Sequence, residues 1–582
     1  MRSLATCCSF RTKPLTPRYP LRAHRMLVAG IPAGVACVAA TLALLAPLAA
    51  LALRSLGAGD GGGFTLSNYG RYLATPALRE SLVNTGVLGA ATTLIVLPLA
   101  FMFAFGLERT NMRFKGAMSA LCLFPVLTPS LLPAMGLVYL FGHQGLLTPL
   151  FGGRVIYGAH GVLAAEAISA FPHAVIMLRA ALAVADGRLY EQAALLGAGP
   201  LRRFLRVTLP SVRYGLVAAG IVVFTRAITD IGAPAVLGGD FGVLALDIYK
   251  QVLGQQNFEM GAVVAMLLLA PSLLLVILER LASSRQAAMI SGKSTAYHPP
   301  QDALRDGMFT AYGAMATVAV TGLLVTCQMA ALARLWPYDL SLDLASYHLD
   351  RYDGGWSALL NSIGLATATA SVGAVVAFGV AYIVQRTRPA RGLRGLMALL
   401  ALLPAATPGL ALGLAYALFF GDPANPFHPI HGSFAILLLA TVTHFYTVAH
   451  LTSVSALGAL DGEFETAGAV LRRGAGEVFL RVIVPLSAVP ILEIALYLFV
   501  NAMTTVSAAV FLYPADFKLA SVSILNMDDA GDMAPAAAMG MMILYVNLGV
   551  RLMGQWGISR LRSATKQTRV AGNPHGMADA PA

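Results

Sequence analysis

Two charged residues four positions apart are the clearest candidates for chemistry in this sequence. Arg226 and Asp230 lie in the segment FTRAITDIGAP, at the end of a long apolar run. A charge at membrane depth costs from about 2.5 kcal/mol upward, so its presence calls for a functional or structural reason. The spacing places both side chains on one helical face, where they can form an ion pair. Such a pair either lines a path for a charged solute or locks two helices together, and the sequence leaves both hypotheses open.

Other groups that could carry chemistry do not form a reactive set. Glu166, His173, His444 and Glu493 also interrupt apolar runs, and we expect interhelical hydrogen bonds to satisfy them. The 11 histidines are scattered, and the five cysteines show no CxxC spacing. The sequence therefore predicts no metal site, no disulfide framework and no enzyme active site.

A fragment that resembles a phosphate-binding loop also fails. The run GKST at 292–295 would need a glycine five residues before Gly292, but Ala287 occupies that position, and no buried strand precedes it. We therefore expect the chain to bind no nucleotide and to carry no ATPase of its own.

The composition indicates the environment in which these residues lie. The chain has 582 residues, of which 57% are hydrophobic and only 12% charged, about half the charge usual for soluble domains. Long apolar runs favour membrane-spanning helices over a β-barrel. The net charge of +12 is then explained by Lys and Arg held on the cytoplasmic side of a membrane, and not by a nucleic-acid partner.

Twelve runs are long and apolar enough to span a bilayer. They cover residues 26–53, 82–107, 115–142, 157–180, 214–238, 259–282, 309–335, 357–384, 395–420, 432–456, 486–513 and 533–556. If both termini are cytoplasmic, the inner segments hold 30 of the 40 Lys and Arg and the outer loops hold 8. This bias predicts a polytopic protein of the bacterial inner membrane with both termini in the cytoplasm.

The chain also repeats itself at an offset of about 275–279 residues. Asn84-Thr85 matches Asn361-Ser362, FPVLTP at 124–129 matches LPAATP at 403–408, and FLRVTLP at 204–210 matches FLRVIVP at 479–485. Each repeat holds six predicted spans, so both enter the membrane in the same direction. The sequence thus predicts an all-α membrane protein with about 12 transmembrane helices in two parallel six-helix repeats. In the second repeat, Asn501 and Thr505 correspond to Arg226 and Asp230, so one helical face is polar in both halves, as the lining of a pathway would be.

These patterns divide the chain into five parts. They are a basic cytoplasmic N-terminus (1–25), a first half (26–282, core 82–282), a polar cytoplasmic linker (283–308), a second half (309–556, core 357–556) and a cytoplasmic tail (557–582).

The long cytoplasmic loop of the first half has a regular pattern. In YEQAALLGAGPLRRFLRVTLP (190–210), the residues Glu191, Ala193, Gly197 and Pro210 fit the spacing E-x-A-x(3)-G-x(9)-[IV]-x-L-P. The pattern predicts a short helix, a tight turn and a second, basic helix. Ala193 and Ala194 allow close approach of a partner, and Gly197 permits a positive φ at the turn.

The second half has a less regular copy of this loop. In FETAGAVLRRGAGEVFLRVIVP (464–485), Arg472 takes the position of Gly197, and Glu465 is one residue out of register. The pair Ala467-Gly468 and the final Pro485 remain. We expect this loop to dock as well, but its sequence leaves the turn geometry open and allows unequal coupling of the two halves.

The paired loops resemble the EAA loop of ABC-importer permeases, which contacts a cytoplasmic ATPase. The resemblance implies the type I permease fold, with two copies of an ABC ATPase that bind ATP and Mg²⁺, a periplasmic substrate-binding protein and surrounding lipid as partners. It also implies transport by alternating access, with ATP hydrolysis supplied by the partner.

Three longer segments, at 228–265, 424–452 and 498–539, resemble the permeases of 2-aminoethylphosphonate importers. The resemblance implies that substrate, with ferric iron, thiamine or polyamine permeases as alternatives. An ion-coupled secondary transporter is a further alternative, which the paired loops disfavour.

Overall fold

The computed structural model describes residues 32–57, 63–183, 186–288, 295, 297, 299–387 and 390–571. The predicted N-terminal segment 1–25, the residues Gly292, Lys293 and Ser294, and the tail beyond residue 571 lie outside the described residues.

The first half consists of eleven α-helices within the described part of the chain. They are α1 (Pro32–Ser55), α2 (Ser67–Ala74), α3 (Pro76–Arg109), α4 (Lys115–Cys122), α5 (Leu131–Phe141), α6 (Ala159–Ala183), α7 (Gly187–Leu195), α8 (Pro200–Thr229), α9 (Gly232–Leu237), α10 (Leu244–Tyr249) and α11 (Phe258–Ala288).

The second half has ten α-helices among the described residues, with no α-helical counterpart of α2 or α9, and adds a hairpin. Its elements are α12 (Ala303–Leu332), β1 (Ala333–Leu335), β2 (Asp339–Leu342), α13 (Gly355–Arg386), α14 (Arg391–Ala406), α15 (Gly409–Gly421), α16 (Phe434–Gly458), α17 (Glu463–Val470), α18 (Ala475–Leu486), α19 (Ala488–Thr504), α20 (Ala520–Asp529) and α21 (Met533–Ala571). The antiparallel pair β1–β2 is the only sheet among the described residues. The fold is otherwise helical, as predicted.

The predicted spans agree with these helices in number. Within the described ranges, nine helices are long and apolar enough to cross a membrane, or twelve if each of three bent pairs is one span. The pair ending in α5 bends by 102°, the pair α14–α15 by 111° and the pair α18–α19 by 76°. The first two bends lie at Thr128-Pro129 and Thr407-Pro408, because a residue before proline is driven out of the helical conformation.

One predicted boundary is wrong for a local reason. The span at 214–238 is not a single helix, since α8 starts at Pro200 and ends at Thr229. Asp230 has an extended backbone (ψ 140°) and separates α8 from the short helix α9. Apolarity continues through α9, so hydropathy alone could not detect the break.

The sequence repeat corresponds to repeated hydrogen bonds. The Asn84 amide donates to Gly242 O and the Asn361 amide donates to Lys518 O, both at 3.1 Å. At the next position, the hydroxyl of Thr85 accepts from the Leu244 amide at 2.9 Å, and that of Ser362 accepts from the Ala520 amide at 2.8 Å. These bonds fasten α10 and α20, the equivalent short helices of the two halves, to the first core helix of each half.

The first helix of each half packs against the opposite half. In α1, Ala33 and Cys37 share an apolar cluster with three residues of the second half, Val384, Met397 and Leu400. At the other boundary, α12 lies so close to the first half that a Cβ on Gly136 would be 2.9 Å from Leu323 O. The two halves are therefore joined by exchanged helices as well as by the linker.

Candidate functional site

A cavity of about 290 Å³ lies between the two halves. Both proline-containing bends line it, with the residues Pro125, Thr128, Pro404 and Thr407. The ends of α8 and α19 complete the wall with Arg226, Asp230, Asn501 and Thr505. The structure thus brings all four predicted pathway residues to one surface, and their role in transport stays a prediction.

The prediction of an ion pair between Arg226 and Asp230 is wrong. The ion pairs among the described residues do not include it. Because α8 ends at Thr229, the Asp230 carboxylate turns to the start of α9 and accepts a hydrogen bond from the Ala233 amide at 3.0 Å. The Arg226 side chain is exposed on the cavity wall. Its charge is therefore available to a solute.

Four other ionisable residues interrupt the apolar runs, and only the two glutamates among them make the expected interhelical contacts. Glu166 of α6 is buried with its carboxyl group beside Asp230 and Arg226, and Glu493 of α19 pairs with Arg562 of α21 at 3.5 Å. The two histidines differ from the expectation. His173 Nδ1 contacts Ser169 O within its own helix, and His444 Nδ1 is buried with no hydrogen-bond partner among the described residues. Both histidines line the cavity.

A glycine and a serine exchange places between the two halves at the edge of this cavity. A Cβ on Gly232 would lie 2.3 Å from Ser130 Oγ, and a Cβ on Gly409 would lie 2.1 Å from Ser507 Oγ. At the repeat offset, Gly232 corresponds to Ser507 and Ser130 to Gly409. Each half therefore keeps one glycine at this contact, but on opposite sides of it.

The first of the two loops has the predicted helix–turn–helix form. Helix α7 begins at Gly187 after Asp186, whose carboxylate accepts from the Arg188 amide at 3.1 Å. This hydrogen bond, together with those from Thr295, lowers the pKa of Asp186. The helix ends at a turn in which Gly197 has φ +70° and the Ala198 amide donates to Ala193 O at 2.9 Å. The exposed positions of the loop include Glu191, Ala194 and Pro210.

The second loop keeps this turn despite its altered sequence. Arg472 has φ +56°, and the Arg473 amide donates to Gly468 O at 2.8 Å. These are the equivalents of Gly197 and of the Ala198–Ala193 bond, so the second loop forms the same turn, whose geometry its sequence had left open. Gly468 is buried against Val478, where an added Cβ would lie 2.4 Å from Cγ2. The exposed positions here include Ala467 and Pro485.

Each loop is attached to the helical body by an arginine that sequence patterns did not indicate. Arg109, at the end of α3, donates to Leu182 O, and Arg386, at the end of α13, donates to Leu457 O. The structure places the two acceptors at equivalent positions of the repeat, 275 residues apart. The two arginines therefore hold the ends of α6 and α16 in the same way.

Tyr190 and Glu465 occupy equivalent positions of the repeat, and each is contacted by the arginine of its own half. The Arg109 guanidinium lies 4.9 Å from the Tyr190 ring centroid, whereas Arg386 Nε lies 3.4 Å from Glu465 Oε1. This explains the register shift of Glu465, which replaces Tyr190 and not Glu191. The second loop thus uses an ion pair where the first uses a cation–π contact.

Apolar side chains are exposed at matched positions beside both turns. Leu195 and Leu196 are 88% and 85% exposed, and their counterparts Val470 and Leu471 are 78% and 71% exposed. Contiguous exposed apolar residues are a feature of both protein-interaction and membrane-contact surfaces.

Comparison with known proteins places these features in a family. The family described as "Binding-protein-dependent transport system inner membrane component" matches residues 96–287. The ferric transport system permease protein FbpB of Actinobacillus pleuropneumoniae is 27% identical over 517 residues, which are 85% of this chain and 73% of that protein. The molybdenum transport system permease protein ModB of Mycobacterium tuberculosis is 30% identical over 186 residues, which are 31% of this chain and 70% of that protein.

A further relative, from Haemophilus influenzae and also named as a ferric transport system permease protein, is 26% identical over 76% of this chain and 71% of its own length. The similarity therefore extends over both halves of the fused chain. Together with the paired loops and the cavity between the repeats, these matches show that the chain belongs to the family of binding-protein-dependent transport system inner membrane components.

Proposed function

We propose that this permease imports 2-aminoethylphosphonate from the periplasm to the cytoplasm. The observation that carries the proposal is the pair of opposite charges, Arg226 and Asp230, on the wall of one cavity. A guanidinium can donate two parallel hydrogen bonds to phosphonate oxygens, and a carboxylate can attract the ammonium group of the same zwitterion. Asn501 and Thr505 offer neutral polar contacts from the second half.

We further propose that α7 and α17 dock on two copies of a cytoplasmic ABC ATPase. The matched turns and the exposed pairs Leu195-Leu196 and Val470-Leu471 support this role, since a short helix with an apolar face fits a hydrophobic groove. ATP and Mg²⁺ are bound by the ATPase in this scheme, and this chain binds no cofactor. Closure of the ATPase on ATP moves both loops and rocks the halves about the cavity.

The proposed orientation follows from the charge bias of the sequence. The loops, the linker and both termini face the cytoplasm, and a periplasmic binding protein delivers substrate to the opposite face, within a lipid bilayer. Selection of the substrate is then shared between that protein and the cavity.

Ferric iron is the second candidate, because two of the relatives are named as ferric transport permeases. The exposed guanidinium of Arg226 favours an anionic or zwitterionic substrate over a bare cation, since like charges repel. The two candidates therefore differ in whether the substrate carries an anionic group for Arg226 to bind.

Uptake by cells separates these candidates. A strain lacking this chain, complemented with it, is expected to regain uptake of radiolabelled 2-aminoethylphosphonate and not of radiolabelled iron. Restored iron uptake without phosphonate uptake would overturn the substrate proposal.

Docking is tested separately, by co-purification with the ATPase. The double variant Leu196→Asp with Leu471→Asp should abolish co-purification, because it places a charge in each apolar contact. Leu150→Asp changes an equally exposed leucine away from the loops and should have no effect. Unchanged co-purification of the double variant would contradict the proposed docking surface.

A further inference from the structure

The linker between the halves contacts α7, the helix of the first loop. The linker residues that make this contact have no part in the transport mechanism proposed above. Thr295 O accepts from the Gly187 amide at 2.9 Å, and the Thr295 hydroxyl donates to Asp186 Oδ1 at 3.2 Å. Both contacts lie at the start of α7. The described part of the linker therefore contacts the helix that is proposed to dock on the ATPase.

An aromatic contact reinforces this attachment. The rings of Tyr297 and Tyr190 have centroids 4.5 Å apart, and the Arg109 guanidinium lies 4.9 Å from the Tyr190 centroid and 5.2 Å from that of Tyr297. Cation–π contacts of this kind are strengthened when the guanidinium is desolvated, and Arg109 is buried. The linker thus completes the environment of the arginine that holds α7.

The linker is also fastened at the start of α12. The Asn111 side-chain amide donates to Pro299 O at 3.0 Å, and the Asn111 backbone amide donates to Asp306 Oδ1 at 3.1 Å. The linker therefore joins α7, the helix of the first loop, to α12, the helix of the second half that packs against the first half. The helix of the second loop, α17, is held instead by the Arg386–Glu465 ion pair.

We propose that Thr295 and Tyr297 are positioning residues that connect α7 to α12: they contact Asp186, Tyr190 and Arg109, and the linker continues from them into α12. Movement of the first loop is transmitted to α12 by this contact, whereas the second loop moves with α13 through its ion pair. The transport consequence rests on the proposed docking of α7 and α17 on the ATPase. The contact itself can be tested without that partner.

Hydrogen exchange measured by mass spectrometry on the purified full chain tests the contact. Tyr297→Ala is expected to speed amide exchange in residues 187–195 by about threefold to tenfold, as loss of an aromatic pair predicts, and to leave 463–470 unchanged. Glu465→Gln should speed exchange in residues 463–470 and leave exchange in residues 187–195 unchanged. Tyr297→Phe keeps the ring and should preserve protection, and Tyr338→Ala removes an exposed tyrosine elsewhere as the matched control.

Two outcomes would overturn the proposal. Tyr297→Ala could leave exchange in residues 187–195 unchanged, or it could speed exchange equally in both loops. If Tyr297→Ala reduces the yield of folded protein, Thr295→Val supplies the same test, because it removes one hydroxyl and keeps a similar volume. Faster exchange in 187–195 with no loss of ATP-driven uptake would contradict the transport consequence and leave the attachment of α7 established.

Discussion

At the scale of single residues, the structure changes what Arg226 is expected to do. Its partner from sequence spacing, Asp230, caps α9, so the guanidinium faces the cavity without that ion pair. A mutation of Arg226 therefore leaves the hydrogen bond of Asp230 intact, but its effect on the nearby Glu166 must be separated from its effect on the solute. Asp230→Asn keeps an acceptor for the Ala233 amide and is the appropriate partner variant.

Arg226→Gln is expected to lower phosphonate uptake about 10- to 100-fold, because a hydrogen bond to a charged group contributes about 1.5–3 kcal/mol. The amount of protein in the membrane should not change, and the thermal midpoint reports any effect on the nearby Glu166. Arg213→Gln, on the same helix but stacked on Tyr214 outside the cavity, is the control for uptake and abundance. Equal uptake by the two variants would remove Arg226 from the pathway.

The turn residues of the two loops lead to a paired prediction. Gly197→Val should destabilise the first turn by about 1–2 kcal/mol, since a left-handed conformation is costly for a side chain with a Cβ. Arg472→Gly should stabilise the second turn, because Arg472 already adopts φ +56°. ATPase co-purification and the thermal midpoint of the permease measure the two effects, and a loss of stability in Arg472→Gly would contradict this account.

At the scale of elements, the exchanged glycine and serine fix how closely α9 approaches α5. Gly232→Ser alone should destabilise the protein by about 1–3 kcal/mol, as overpacking does, because its Cβ would lie 2.3 Å from Ser130 Oγ. Adding Ser130→Gly recreates the arrangement of the second half and should restore much of the thermal midpoint. No recovery in the double variant would show that other contacts determine this approach.

The sequence predicted the helices better than it predicted their contacts. Apolar runs, loop charges and the repeat identified the spans, since each signal is local or repeated along the chain. The cap at Asp230 and the contact of Arg109 with Tyr190 depend on residues that only folding brings together. The positive φ of Gly197 was predictable from its type, whereas that of Arg472 was not, because arginine rarely adopts it.

At the scale of the whole molecule, the charge bias predicts sidedness. A reporter active only in the periplasm should be active when fused after residue 345, which follows the hairpin β1–β2 beyond α12, and silent when fused after residue 295. These sites lie at opposite ends of α12. The reverse pattern would invert the proposed orientation and place both loops outside the cytoplasm.

The exchange of first helices also constrains the order in which the chain can mature. Tyr416 of α15 donates a hydrogen bond to Ala43 O of α1, across 373 residues of sequence. At ordinary synthesis rates of about 5–20 residues per second, Tyr416 is synthesised roughly 20–75 s after α1. During that interval α1 faces lipid or an insertion factor, so a ribosome that stalls within the second half leaves a first half whose outer surface is unfinished.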